Sequence, residues 1–270
     1  MAERSGPPEP HASFLRAALA RLREDPRLVG VGAGGSYLAG TMDEFSDLDL
    51  VIAVEPAAQA AVRDEREKIA RSLGPLLTAF TGEHVGEPRL LICLYGPPLL
   101  HVDLKFVSLP DVAERVEDPA VLWERDGRLT AALSVRPPRW PQPDLQWIED
   151  RFWVWVHYGA TKIGRGELFE ACDFLAFLRA QVLGPLALAR HGAHASGVRR
   201  LELLAPEPAA EMRATIAAYD RRSCALALGR VAEMYRRLRR TAAAQSLVPR
   251  AEAEKAAMAY LEEVASRAGS

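Results

Sequence analysis

The chain has 270 residues, 34 basic and 36 acidic side chains and a formal net charge of −2, a length that suits one large domain or two ordinary ones. Its hydrophobic fraction of 49% and charged fraction of 26% are those of a folded globular protein and argue against disorder outside the ends. With a pI near 6.3 it lacks the global basic field that non-specific nucleic-acid binding relies on, so a small or cationic partner is expected and a nucleic acid is not.

Residues 1–10 are acidic and proline-rich with no apolar segment, which predicts a loose tail and no secretory signal. Phe14, Leu15, Ala18, Leu19 and Leu22 then recur at helical spacing until Asp25-Pro26, predicting one amphipathic helix. Leu28 to Val31 is an apolar run that feeds Gly32-Ala33-Gly34-Gly35-Ser36, a strand ending in a glycine-rich turn. Leu48 to Val54 is the next strand. From Ala57 to Phe80 the pattern is helical, with Gly74-Pro75 expected to kink or split the helix.

Arg89 to Tyr95 and Leu99 to Val107, joined by Gly96-Pro97-Pro98, predict a hairpin, and a smaller hairpin is expected around Asp126-Gly127 within Val121 to Leu133. The proline-rich segment Arg136 to Pro143 suits neither helix nor interior strand and marks a domain boundary. Beyond it, from Leu145 to Ser266, strand signals vanish and helical periodicity dominates, broken at Gly164-Arg165-Gly166, Gly192 to Gly197, Pro206 to Pro208 and Val248-Pro249. No uninterrupted apolar stretch approaches the ~18 to 20 residues of a spanning helix. Cys93, Cys172 and Cys224, odd in number and far apart, read as buried thiols rather than as disulfides or a zinc site, and a cytoplasmic protein is expected. The expected organisation is a tail over 1–10, an α/β domain with a small mixed β-sheet over 11–140, and an all-α helical-bundle domain over 141–270.

The strand Leu48 to Val54 has a period of two, so Asp47 and Asp49 project to one face while Leu48, Leu50 and Ile52 point into the core. Two carboxylates that close repel unless a cation lies between them, and hard oxygen ligands of this kind suit Mg²⁺. Upstream, Gly35 lets the backbone approach a phosphate, and the amide groups that follow, with the Ser36 hydroxyl, can cradle anionic oxygens. In His101-Val102-Asp103-Leu104-Lys105-Phe106, alternation sets Asp103 opposite the buried Val102, Leu104 and Phe106. An acid on so apolar a strand is costly without a partner, and a metal shared with the other two carboxylates supplies one.

The arrangement Gly35-Ser36, ten intervening residues, Asp47-Leu48-Asp49 and then Val102-Asp103-Leu104 resembles the DNA polymerase β-like nucleotidyltransferase superfamily. The stretch Phe152 to Glu167, an aromatic helix leading to Lys162 and an Arg165-Gly166-Glu167 turn, looks like the aminoglycoside 6-adenylyltransferase (streptomycin adenylyltransferase) type. The resemblance implies a nucleotidyltransferase domain followed by a helical domain, with the active site in the cleft between them. It implies transfer of a nucleoside monophosphate, AMP from ATP, to a hydroxyl of a small molecule, an aminoglycoside being the first acceptor expected and antibiotic resistance the matching role. Asp47, Asp49 and Asp103 would be catalytic and metal-holding, Gly35 and Ser36 would bind phosphates, and Lys162 with Arg165 would reach the triphosphate from the helical half.

Other candidates weigh towards structure. Trp153, Trp155 and Tyr158 at helical spacing read as core more readily than as a base-stacking platform, and His101 and His157 as structural histidines. Glu149, Asp150, Glu167, Glu170 and Asp173 would suit either an acidic wall for a polycationic acceptor or a solvated helix face. Arg221-Arg222 and Arg236 to Arg240 read as surface. Two alternatives stay open: a regulatory, antitoxin-like module that binds another protein, and an enzyme that modifies a protein hydroxyl.

Overall fold

The computed structural model describes residues 6–240 and 247–267. Six strands form, β1 (Leu28–Ala33), buried along its whole length, β2 (Leu48–Val54), β3 (Leu76–Gly82), β4 (Glu87–Tyr95), β5 (Leu100–Ser108), whose burial alternates, and β6 (Ala120–Glu124). They form one mixed sheet in the order β3-β4-β5-β2-β1-β6, in which β2 and β5 run parallel and the other pairs antiparallel. Helices α1 (His11–Glu24) and α3 (Gln59–Leu73) cover one face, and the short α2 (Gly35–Ala39) and α4 (Arg128–Leu133) complete the unit.

Strand parity decides what each face can do. Leu48, Leu50, Ile52 and Val54 of β2 join Val102, Leu104 and Phe106 of β5 in a core with Leu15, Ala18 and Leu22 of α1 and Val62 and Ile69 of α3. The opposite face is closed only towards the ends of these strands, where Ala53 and Val107 pack with Val112, Leu129 and Leu133. The beginnings of β2 and β5, with Asp49 and Asp103, lie on the half-buried side of that second face.

In this unit two expected elements are corrected. The helical pattern expected to Phe80 stops at Leu73, and Leu76–Gly82 is a strand paired with β4, with Leu76 opposite Tyr95 and Phe80 opposite Ile92. Gly74 and Pro75 end the helix, and pairing with a neighbouring strand overrides the local helical period. The hairpin expected at Asp126-Gly127 is a strand-to-helix turn instead. Both residues hold positive φ, 51° and 68°, as a tight hairpin needs, but β6 pairs with β1. The following residues place Leu129 and Leu133 four apart in the core as α4, and Glu124 accepts the Thr130 amide at 2.8 Å.

The chain divides into two compact units, Met1–Trp140 and Pro141–Ser270. The second is helical: α5 (Leu145–Arg165), α6 (Leu168–Leu178), α7 (Gly184–Arg190), α8 (Leu201–Leu204), α9 (Pro206–Met212), α10 (Arg221–Leu238) and α11 (Ala251–Arg267). Asp144 and Asp220 cap α5 and α10 by accepting the Trp147 and Ser223 amides. A π-turn joins α6 to α7, so Leu168–Arg190 is one helical stretch of 23 residues that contains an 18-residue window of mean hydropathy 1.4, as long and apolar as a spanning helix, although none was expected. Half of that window is buried, through residues such as Leu175, Leu178, Val182 and Leu183.

Phe152 stacks on Tyr235 with ring centroids 3.8 Å apart, and Trp153 closes on both edge-on, so these aromatics are core. Glu149, offered by the sequence for an acidic wall, is fully buried at 0% exposure. Its carboxylate accepts from the Trp153 indole, the Tyr235 hydroxyl, the Arg250 amide and Arg239. Arg239 is thereby removed from the surface run expected at Arg236 to Arg240, its side chain 16% exposed between Glu149 and Glu254. A buried carboxylate needs such a partner, which a helical period alone does not name. Of the expected loose tail, residues 1–5 lie outside the described residues, and His11 directly after it is buried.

Candidate active site

The site grows from the turn after β1. The Gly34 amide donates to the Asp49 carbonyl at 3.0 Å, which holds the turn against β2. Gly35 has φ +55°, and a Cβ built there would stand 2.1 Å from Asp49 Oδ2, so only glycine fits beside this carboxylate. In the parallel pairing of β2 with β5, Asp49 is the register partner of Asp103. The two acids are therefore neighbours across the strands, on the side away from the α1–α3 core.

Asp47 lies two residues upstream, in the loop before β2. An Asx turn shapes that loop: Asp43 Oδ1 accepts the Phe45 amide at 3.0 Å and the Ser46 hydroxyl at 2.9 Å. From the other side His11, 1% exposed, donates its Nε2 proton to the Ser46 carbonyl at 2.6 Å. A helix N-terminal histidine thus ties down the residue that precedes Asp47, a role the sequence gave no sign of.

Two further side chains enter the site. His101, read from sequence as a structural histidine, is half exposed and its Nε2 lies 3.0 Å from Asp103 Oδ1. Residues two apart on one strand share a face, so this contact was legible in the period. Glu117 was not. It reaches from the segment before β6 and accepts the Gly35 amide at 3.1 Å. Beside it the Ser36 hydroxyl oxygen is buried with no hydrogen-bond partner.

Of the predicted residues, Gly35, Ser36, Asp49 and Asp103 are brought together, with Asp47 on the adjoining loop. Among the described residues no set of three or more His, Cys, Asp or Glu side chains is gathered as a ready metal cluster. The donor set nevertheless fits a hard divalent cation: two carboxylates in register, a third on the adjoining loop and an orphaned hydroxyl beside them.

In the helical unit, Lys162 on α5 contacts Glu167 at 2.8 Å and Glu170 at 3.0 Å and lies 5.0 Å from the centroid of the Tyr158 ring. These hydrogen bonds, Glu167 first and Glu170 second, hold its ammonium above the ordinary lysine range. The Tyr158 hydroxyl in turn donates to Glu170. Arg165, 63% exposed, lines a cavity of about 270 Å³ with Arg221, Tyr260 and Arg267.

Residues 15–80 match the family model described as a nucleotidyltransferase domain, a span that includes Gly35-Ser36, Asp47 and Asp49. Among solved structures the chain is similar to a nucleotidyltransferase-like protein from Exiguobacterium sibiricum, at 15% identity over 84% of this chain and 75% of that one, with a TM-score of 0.37. It is also similar to an aminoglycoside 6-adenyltransferase from Bacillus subtilis, at 14% identity over 94% of this chain and 95% of that one, with a TM-score of 0.31. No curated protein matches the chain.

Proposed function

We propose that this chain, a nucleotidyltransferase by the domain in its N-terminal unit, uses Mg²⁺ to transfer AMP from ATP to a hydroxyl of a small molecule, releasing pyrophosphate. The observation that carries the reading is the register of Asp49 with Asp103 beside the Gly35-Ser36 turn. Asp47, Asp49 and Asp103 would hold the metal, which when bound offsets the charge between these carboxylates and the phosphate oxygens.

The Gly35 amide and the Ser36 hydroxyl donate to phosphate oxygens, giving the orphaned Oγ its partner. Asp103 accepts the acceptor's hydroxyl proton. The freed oxygen forms its bond to the α-phosphorus as the bond from that phosphorus to the bridging oxygen breaks, and the electron pair leaves with pyrophosphate. His101, half exposed at 3.0 Å from Asp103, orients that carboxylate and offers the proton a way to solvent.

Lys162 and Arg165 take the triphosphate, and Lys162 exchanges Glu167 and Glu170 for phosphate oxygens when it does so. The acceptor we favour is a hydroxyl-rich polyamine of the aminoglycoside kind. The sequence resemblance supports it, as do the half-exposed carboxylates of Glu167 and Glu170. The protein then works in the cytoplasm, without a nucleic-acid or membrane partner.

The test is incubation with ATP labelled at the α-phosphate, Mg²⁺ and a panel of aminoglycosides. The expected result is a labelled adduct with equimolar pyrophosphate, lost in Asp103→Asn. Label on no member of the panel overturns the aminoglycoside assignment, and label on protein from a lysate favours a protein hydroxyl as acceptor.

A further inference from the structure

The Gly35 amide, which the proposed reaction needs for a phosphate oxygen, already has an anionic partner. Glu117 Oε1 accepts it at 3.1 Å, from a residue 82 positions away in the chain. The segment that carries Glu117 is anchored on both sides. Arg115, its side chain 11% exposed, donates to the Ala113 carbonyl at 3.2 Å and the Leu133 carbonyl at 2.7 Å, and the Arg115 carbonyl accepts the Arg139 amide at 3.0 Å. Pro119 packs so closely on β1 that a Cβ at Gly32 would stand 2.8 Å from it.

Glu117 fills only part of the cradle. The Ser36 hydroxyl next to the Gly35 amide is buried and has no partner, so one donor is taken by a carboxylate and the other left without an acceptor. A carboxylate oxygen on an amide has the charge and hydrogen-bonding character of a phosphoryl oxygen, and both cannot accept the same N–H. The neighbours Asp47, Asp49 and Asp103 add further negative charge, so a bare phosphate arriving here meets repulsion as well as an occupied donor.

We propose that Glu117 is a specificity-determining residue of this site, a tethered anion that holds the Gly35 amide against metal-free phosphates and yields it to a nucleotide bound with its cation. The inference rests on the proposed function and adds the rule by which the site selects its substrate: metal-complexed polyphosphate is admitted and free polyphosphate is refused.

Calorimetric titration of the full chain tests it, using inorganic pyrophosphate and ATP, each first in EDTA and then with Mg²⁺. In EDTA, Glu117→Ala is expected to bind pyrophosphate on the order of tenfold or more tighter than the wild type, the range of one charge-assisted hydrogen bond, with Glu117→Gln between the two. With Mg²⁺ the advantage narrows. The Gly35 amide resonance should move in Glu117→Ala without ligand, and melting temperatures confirm that both variants fold. Unchanged metal-free affinity in a folded Glu117→Ala overturns the inference while wild-type binding of ATP with Mg²⁺ leaves the proposed function standing. Loss of Mg²⁺–ATP binding in Glu117→Ala also overturns it, by making Glu117 a supporting ligand. If the wild type does not bind ATP with Mg²⁺, the proposed function falls and this inference falls with it.

Discussion

Gly35→Ala tests the geometry of the candidate site most directly. Gly35 has φ +55°, so a side chain there incurs the left-handed penalty of about 1 to 2 kcal/mol. Its Cβ would also stand 2.1 Å from Asp49 Oδ2, far inside contact distance, and the carboxylate must move. A shift of roughly 1 Å in a catalytic group costs about 10²-fold in rate. Gly40 supplies the control: it has φ +64° and no atom within 4 Å of a built Cβ, so Gly40→Ala carries the backbone penalty without the collision. Gly40→Ala should lose roughly 3 to 6 °C in melting temperature, and Gly35→Ala at least as much. Only Gly35→Ala should lose about 10²-fold in AMP transfer and demand more Mg²⁺ for half-maximal ATP binding. Equal activity and equal Mg²⁺ demand in the two variants would refute the packing of Gly35 on a metal-holding carboxylate.

His11→Ala removes the contact at 2.6 Å that ties Ser46 beside Asp47, so Mg²⁺–ATP binding should weaken by about tenfold, and more than the melting temperature alone accounts for. An unchanged Mg²⁺ titration would show that this tie does not position Asp47. Glu149→Ala leaves Arg239, Tyr235, Trp153 and the Arg250 amide without their shared acceptor, and should cost about 3 kcal/mol, roughly 10 °C in a melt. A loss under about 1 kcal/mol would mean that Glu254 alone satisfies Arg239. Glu87 is held down to about 2 by its hydrogen bond from Arg89, against burial, with Lys105 helping. Its folded value is depressed, so its stabilising effect is complete above the ordinary glutamate value of 4.5 and disappears as pH falls from there towards about 2. Glu87→Gln should flatten the acid limb of stability over that window, and an unaltered limb would contradict the pairing.

Strand periodicity in the amino-acid sequence by itself placed Asp49 and Asp103 on the open sides of the strands that carry them, and the expectation that they hold a metal with Asp47 came from the same few residues. A period of two sorts β5 and the first half of β2 into a buried and an open side, and Gly35-Ser36 before an Asp-x-Asp leaves few readings of the turn. Proline-rich residues 136–143 separate strand signals from helical ones for the same local reason: backbone preference and periodicity act over a few residues.

The tertiary structure decided what depends on residues distant in the chain. Pairing with β4 turned Leu76–Gly82 from a helical continuation into a strand, and packing of Leu129 and Leu133 turned an expected hairpin into α4. Glu149 with Arg239, 90 residues apart, and Glu117 with Gly35, 82 apart, have no period that links them. Desolvation makes a buried charge find a partner, but only the fold determines which one is within reach. That is why the place of Asp103 on the open side of its strand was legible from local periodicity, while the carboxylate resting on the Gly35 amide was not.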